Sequence, residues 1–213
     1  MLSISEIFRS IQGESTFAGL PFVFVRLAGC NLSCVYCDTK YARDEPGHHL
    51  EVDEIIEQVE QMGGDLVGVT GGEPLLQVET PKLLHSLVAL GKTVLVETNG
   101  SIPLPAKRGY RVVMDLKCPS SGEVCSHHED NPGSLTNNDE VKFVISDRAD
   151  FDWAIEQTCK YRFIERGINV LVSPVHGLIA PAVLADWVLA SSLPFRVQIQ
   201  LHKLIWPDAE RGR

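Results

Sequence analysis

The sequence predicts an α/β fold in which parallel strands curl into an incomplete, TIM-like (β/α) barrel, with an open doubly wound sheet as the plainer alternative. Three observations predict it. Short runs rich in β-branched residues alternate with amphipathic segments, seven such runs meet only four clear helices, and each chemically unusual short word falls just after a strand. The strand runs are 22–27, 65–70, 92–98, 110–116, 140–146, 168–173 and 195–201. Helices with apolar faces at the 3.6-residue period are expected over 52–62, 80–90, 149–165 and 181–192. Pro81 and Pro181 stand where a first helical turn tolerates proline, and Gly63 and Gly91 follow the last periodic residues as stop signals. The stretch 118–139 has neither period and reads as a long loop in place of a helix. AGCN, TGGEP, ETNG and KCPSS follow the first four strands, and SPVHG and QLHK the last two. The carboxyl ends of parallel strands lie at one rim, so these words are expected to share a pocket.

Composition narrows the function. The chain of 213 residues is 44% hydrophobic and 22% charged, which fits one globular domain over 1–213 with a single substantial core. No basic leader precedes an apolar run at the N-terminus, and nowhere do about 18 apolar residues follow one another, so a cytoplasmic protein without a membrane partner is expected. A formal charge of -9, from 28 acidic and 19 basic residues, argues against a nucleic-acid partner. Six cysteines in a reducing compartment argue for metal binding or catalysis over a disulfide framework.

Three of those cysteines, Cys30, Cys34 and Cys37, cluster in CNLSCVYC. A closed zinc tetrahedron needs a fourth ligand, for which Cys118, Cys125 or the His48–His49 pair are candidates. A redox pair would use only Cys34 and Cys37 and leave Cys30 without a task. A 4Fe-4S cubane held by three thiolates leaves one iron open to a small molecule, and the missing ligand then becomes useful.

CNLSCVYC resembles the cysteine motif of the radical S-adenosylmethionine superfamily, and TGGEP at 70–74 is similar to its GGE segment. The words EIFRSIQGES (6–15), FVRLAGCNLSCVYCDT (24–39), TGGEPLLQ (70–77), ETNG (97–100) and QIQLHKLIWP (198–207) resemble the 7-carboxy-7-deazaguanine synthase family over nearly the whole chain. The resemblance implies a radical SAM core with reduced helices. It also implies a lyase that converts 6-carboxy-5,6,7,8-tetrahydropterin to 7-carboxy-7-deazaguanine with loss of ammonia, in queuosine and 7-deazapurine biosynthesis. The implied cofactors are one 4Fe-4S cluster, S-adenosylmethionine and Mg2+; flavodoxin or ferredoxin would donate the electron, and the chain would form a homodimer. Competing readings are a glycyl-radical-activating radical SAM enzyme, against which the QGE, CDT and LHK words speak, and a non-catalytic zinc module.

Residue by residue, the resemblance gives the cluster to Cys30, Cys34 and Cys37 and the magnesium to Thr39. S-adenosylmethionine would meet Tyr36, Asp38, Gly72 and Glu73, with Lys117, Pro119 and Ser120 of KCPSS and Ser173, Pro174 and His176 of SPVHG. Glu73 is expected to accept from the cofactor's cationic amine. Gln12, Gly13, Glu14, Arg26, Thr70, His202 and Pro207 are expected at the substrate. Gln12 and Glu14 would pair with the amino-pyrimidinone edge, and Arg26 offers a planar fork to the carboxylate. His202 and Lys203 are expected at the end of the last strand; the chain runs on through DAERGR past Pro207. Cys118, Cys125 and Cys159 read as ordinary thiols.

Overall fold

Hydrogen bonding resolves the alternating runs into one sheet of nine strands in the described residues, 1–105 and 107–212 of a computed structural model. They are β1 (Leu2–Ile11), β2 (Pro21–Leu27), β3 (His48–Leu50), β4 (Leu66–Gly71), β5 (Thr93–Thr98), β6 (Arg111–Asp115), β7 (Glu140–Ile145), β8 (Asn169–Pro174) and β9 (Arg196–Val197). Their order is β3-β1-β2-β4-β5-β6-β7-β8-β9, and every pair from β2 to β9 is parallel. β1 runs antiparallel to both β2 and β3. The sheet therefore ends at β3 and β9 without closing, as an incomplete barrel does.

The helices are α1 (Lys40–Asp44), α2 (Val52–Met62), α3 (Thr80–Ala89), α4 (Asn131–Ser134), α5 (Arg148–Tyr161), α6 (Pro181–Ser191) and α7 (Leu201–Ile205). Four of them coincide with the periodic segments. α2 starts on a capping box between Glu51 and Glu54 and stops at Gly63, φ +70°. α5 is shorter than its periodicity predicts, because Arg162 turns left-handed at φ +55° and the Phe163 amide donates back to the Thr158 carbonyl. A buried Phe163 holds that ending with no glycine to announce it.

Strand parity sorts the side chains. Val23, Val25, Val67, Val69, Val94, Val96, Val141, Phe143, Val170 and Val172 face outward and pack against α2, α3, α5 and α6 in the main core. Phe22, Phe24, Leu95, Val113 and Leu171 face inward and form a second, smaller cluster with Phe8, Phe17 and Leu66. One step further toward the carboxyl ends, the same inward parity exposes Arg26, Thr70, Glu97 and Asp115 to a cavity rather than to packed carbon.

Three expectations need correction. β1 and β3 are strands that no periodic run announced, and the last strand shrinks to Arg196–Val197, so that His202 and Lys203 sit on α7 rather than at a strand end. The segment 118–139 is not structureless: it holds a 3-10 turn over Pro119–Ser121 and the short α4. Buried Asn131 fastens it, its amide donating to the Gly100 and Ile102 carbonyls at 2.6 and 2.8 Å and accepting from the Leu104 amide at 2.8 Å. The Arg166 guanidinium adds bonds to the Pro132, Gly133 and Leu135 carbonyls. Asn131→Ala leaves the Ile102 carbonyl and the Leu104 amide without that partner, while Gly100 keeps the His128 amide, and is expected to cost about 2–4 kcal/mol, read as a lower urea midpoint at unchanged slope.

Candidate active site

A cavity of about 580 Å3 opens at the carboxyl ends of the parallel strands, lined by inward residues and by the loops that follow them. Cys30, Cys34 and Cys37 form one wall, each half-buried and none in a disulfide. Two backbone contacts explain why glycines flank them. The Gly72 and Glu73 amides donate to the Leu27 and Gly29 carbonyls at 3.1 and 2.9 Å, and a Cβ on Gly72 would overlap the Gly29 carbonyl and press on Cys30. The cysteine loop is further pinned by the Val35 amide on Ser121 and the Ser33 amide on Glu123. Burial pushes the Cys30 and Cys34 thiols up; the Leu32 amide beside Cys30 and the Lys117 ammonium near Cys34 oppose it.

The donor set fits a three-thiolate cluster. In such a cluster each thiolate binds a different iron. The residues proposed as a fourth ligand stand elsewhere. Cys118 is fully buried with its thiol toward the Leu116 carbonyl, Cys125 is exposed, and His48 and His49 lie on edge strand β3.

Charged groups also line the cavity. Glu14 is held by the Lys142 ammonium at 2.8 Å on one oxygen and the Ser173 hydroxyl at 3.2 Å on the other. Glu97 accepts from the Gln12 amide at 3.2 Å and the Thr70 hydroxyl at 3.0 Å. Asp115 pairs with Lys117 at 2.9 Å through one oxygen, and its other oxygen is buried without a partner among the described residues. Burial works against the Lys142 charge, but Glu14, helped by Asp115 and Glu97, keeps the ammonium above its usual range. Burial likewise pulls the His202 imidazole down, opposed by Glu14 and Asp38. Asp38 accepts from Gln200 at 2.9 Å and Lys203 at 2.8 Å; burial would raise its carboxyl, but these partners hold it well below the usual range. The Thr39 hydroxyl donates to Asp38 at 2.9 Å.

Most of the expected site residues line this one cavity. Gln12, Gly13, Glu14, Arg26, Tyr36, Asp38, Thr39, Thr70, Gly72, Lys117, Ser173, Pro174, His176 and His202 all reach it. Glu73, Pro119, Ser120 and Pro207 do not. Glu73 is fully buried behind the cavity wall, accepting from the Leu75 and Asn99 amides and the Thr98 hydroxyl at 2.9, 2.7 and 2.9 Å. Its carboxyl, pushed up by burial and held down by those donors, ties TGGEP to ETNG. The Ser120 amide is spent on Asp150, Pro119 opens a 3-10 turn, and Pro207 lies exposed beyond α7. Sequence reasoning passed over Glu97, Asp115 and Lys142. Their signal was a charged residue at the inward parity of an otherwise apolar strand.

A half-open parallel barrel with three thiols at its rim is the architecture of a radical SAM protein, and the family model of the Radical SAM superfamily matches residues 25–117. The 7-carboxy-7-deazaguanine synthase of Koribacter versatilis is 42% identical, over 99% of this chain and 100% of that protein. The one from Chlorobaculum tepidum is 44% identical over 99% of this chain and 97% of its own. The chain belongs to the 7-carboxy-7-deazaguanine synthase family, enzymes of the radical SAM class. The fold agrees: the crystal structure of QueE from Escherichia coli superposes with a TM-score of 0.76 at 19% identity, covering 93% of each chain. Nothing in these relatives favours the glycyl-radical-activating alternative.

Lys142→Met keeps the stem and removes the partner of a buried carboxylate. Chemical denaturation is expected to show a loss of about 3 kcal/mol.

Proposed function

We propose that this chain converts 6-carboxy-5,6,7,8-tetrahydropterin to 7-carboxy-7-deazaguanine with release of ammonia, the whole of 1–213 acting as one catalytic domain. The observation that carries this reading is one cavity lined both by three thiols and by a guanidinium, an amide and a carboxylate. Cys30, Cys34 and Cys37 would hold a 4Fe-4S cluster with one open iron. When bound, the cluster and S-adenosylmethionine supply a one-electron reduction and the resulting hydrogen abstraction from the substrate.

The chain's own residues do the rest. Glu14, fixed by Lys142 and Ser173, presents carboxylate lone pairs to the amine and ring N–H of an amino-pyrimidinone. Arg26 turns its guanidinium toward the substrate carboxylate. Gln12 and Thr70 are braced by Glu97, so the polar wall is ordered before a ligand arrives. Thr39 and Asp38 offer hard oxygens suited to magnesium beside that carboxylate. Gly72, Tyr36, Lys117, Ser173, Pro174 and His176 border the space left for S-adenosylmethionine. His202 rests on Gly13, where a Cβ would strike the imidazole, and α7 thereby closes one side against water.

The electron would come from a flavodoxin or ferredoxin, and the working form would be a cytoplasmic homodimer. No described helix is long and apolar enough to cross a membrane, and a net charge of -9 gives no footing for nucleic acid.

Anaerobic reconstitution with iron and sulfide, followed by product analysis with carboxypterin, S-adenosylmethionine, magnesium and a strong reductant, tests the proposal. A brown protein that releases 7-carboxy-7-deazaguanine and ammonia supports it; a colourless protein carrying stoichiometric zinc sinks it. Cys34→Ala is expected to lose iron and all turnover. Arg26→Ala is expected to raise the KM for carboxypterin at least about tenfold, the worth of a charge-assisted pair. Normal pterin turnover by that variant would remove Arg26 from the carboxylate site.

A further inference from the structure

Arg26 reaches the cavity from β2, but the group that aims it lies outside the cavity wall. In the sheet register Glu6 of β1 stands directly across from Arg26. It does so only because the register slips by one residue between Ile4 and Glu6: Ile4 opposes Leu27, and the next pair is Glu6 with Arg26. Without that bulge the residue across from Arg26 would be Ser5, too short to reach a guanidinium.

The resulting contact uses one edge of the arginine. Glu6 Oε1 accepts from Arg26 Nε at 2.8 Å, and the guanidinium lies over the Phe8 ring at 5.5 Å. Both side chains are largely buried, 14% and 15% exposed. Among the described residues, Nη1 and Nη2 make no other hydrogen bond, and the arginine lines the cavity while Glu6 does not. A guanidinium anchored through Nε leaves its two-nitrogen end as a fork for a planar anion.

Glu6 is itself triply held. The same Oε1 accepts from the Tyr41 hydroxyl at 2.6 Å, and Oε2 accepts from the Gly212 amide at 2.9 Å. Tyr41 belongs to α1, which begins directly after Thr39, and its ring carries the Arg211 guanidinium at 4.4 Å. Arg211 also pairs with Glu45. One carboxylate therefore joins the arginine, the helix that follows the cysteine loop, and the tail after Pro207.

We infer that Glu6 is a positioning residue for the substrate carboxylate, orienting Arg26 from behind and locking that orientation to α1 through Tyr41. The inference rests on the reading of Arg26 as the carboxylate's partner. A rim arginine without such an anchor would sample several rotamers, and the carboxylate would have to order it on binding.

A double-mutant cycle on the reconstituted holoenzyme tests it, reading KM and kcat for carboxypterin in wild type, Glu6→Gln, Arg26→Ala and the double variant. Glu6→Gln is expected to raise KM about tenfold, to change kcat far less, and to do almost nothing in the Arg26→Ala background, the signature of two groups acting as one. An equal KM increase in both backgrounds means a general structural role and overturns the inference, as does an unchanged KM in Glu6→Gln. An unchanged KM in Arg26→Ala overturns instead the reading beneath it. Should Glu6→Gln not fold, Tyr41→Phe removes one donor and leaves β1 intact. It is expected to raise KM about threefold only when Arg26 is present, and an effect independent of Arg26 overturns the inference.

Discussion

A charge taken off water into a half-dry barrel must meet its opposite, and this constraint organises the rim of the molecule. Strand parity alone would point Arg26, Asp115 and Lys142 into the cavity and leave each to bear its desolvation. Each is answered, and the first two answers come from neighbouring sequence or strand: Glu6 for Arg26, Lys117 for Asp115. The third must come from afar. Lys142 on β7 is met by Glu14, 128 residues earlier, from the loop after β1. A fourth pair, Asp38 with Lys203, spans 165 residues and brings α7 onto the cysteine loop. The pairs at the cavity thus also serve as the long-range ties that place the ends of the chain.

Those ties fall where the barrel fails to close. β9 is only two residues long, so nothing in the sheet bridges from β8 back to β1. The loop 12–20 folds into that space instead. The Ser15 amide donates to the Gln198 side chain at 2.6 Å, which returns a bond to the Ser15 carbonyl at 2.7 Å. The Thr16 amide and hydroxyl bind buried Glu140, Phe17 packs edge-on against Phe22, and the Leu201 amide reaches the Gly13 carbonyl at 3.2 Å. The word QGES is therefore a strap before it is a ligand set. Gln12 and Glu14 are held in place by the same loop that seals the gap.

What could be read from the sequence followed from single periods. α2 and the outward valines of β4, β5 and β8 repeat without interruption, and the words after each strand mark the rim because parallel topology gathers them there. β1 escaped because its bulge breaks the period: Leu2 and Ile4 are buried among outward core residues, and after the slip it is Ile7 that faces the same way. No alternation survives across such a defect. The last strand was overread for the opposite reason, since FRVQIQL alternates well yet Gln198 and Gln200 are drawn off to Ser15 and Asp38. The burial of Glu73 beneath two loops was not legible because a motif tells which residue is present and not which way its carboxylate turns. Lys142 was passed over because a lysine inside EVKFVIS reads as a surface residue until its parity shows it facing inward.

Spare hydrogen-bonding capacity that faces the cavity separates site from scaffold. Both Glu73 oxygens are committed to the ends of two loops in a place no water reaches, and its burial is tolerable only because three donors meet it. Asn131 is spent in the same way. The cavity groups are different. Each Glu14 oxygen takes one donor and retains a lone pair, one Asp115 oxygen has none, and Arg26 is bound through Nε alone. Surplus acceptors and a surplus fork in one cavity call for a ligand that brings both N–H groups and a planar anion. An amino-pyrimidinone bearing a carboxylate has that layout. Three thiols line the same cavity, so on the proposed reading the chemistry that iron would supply and the molecule those charges would select share one space.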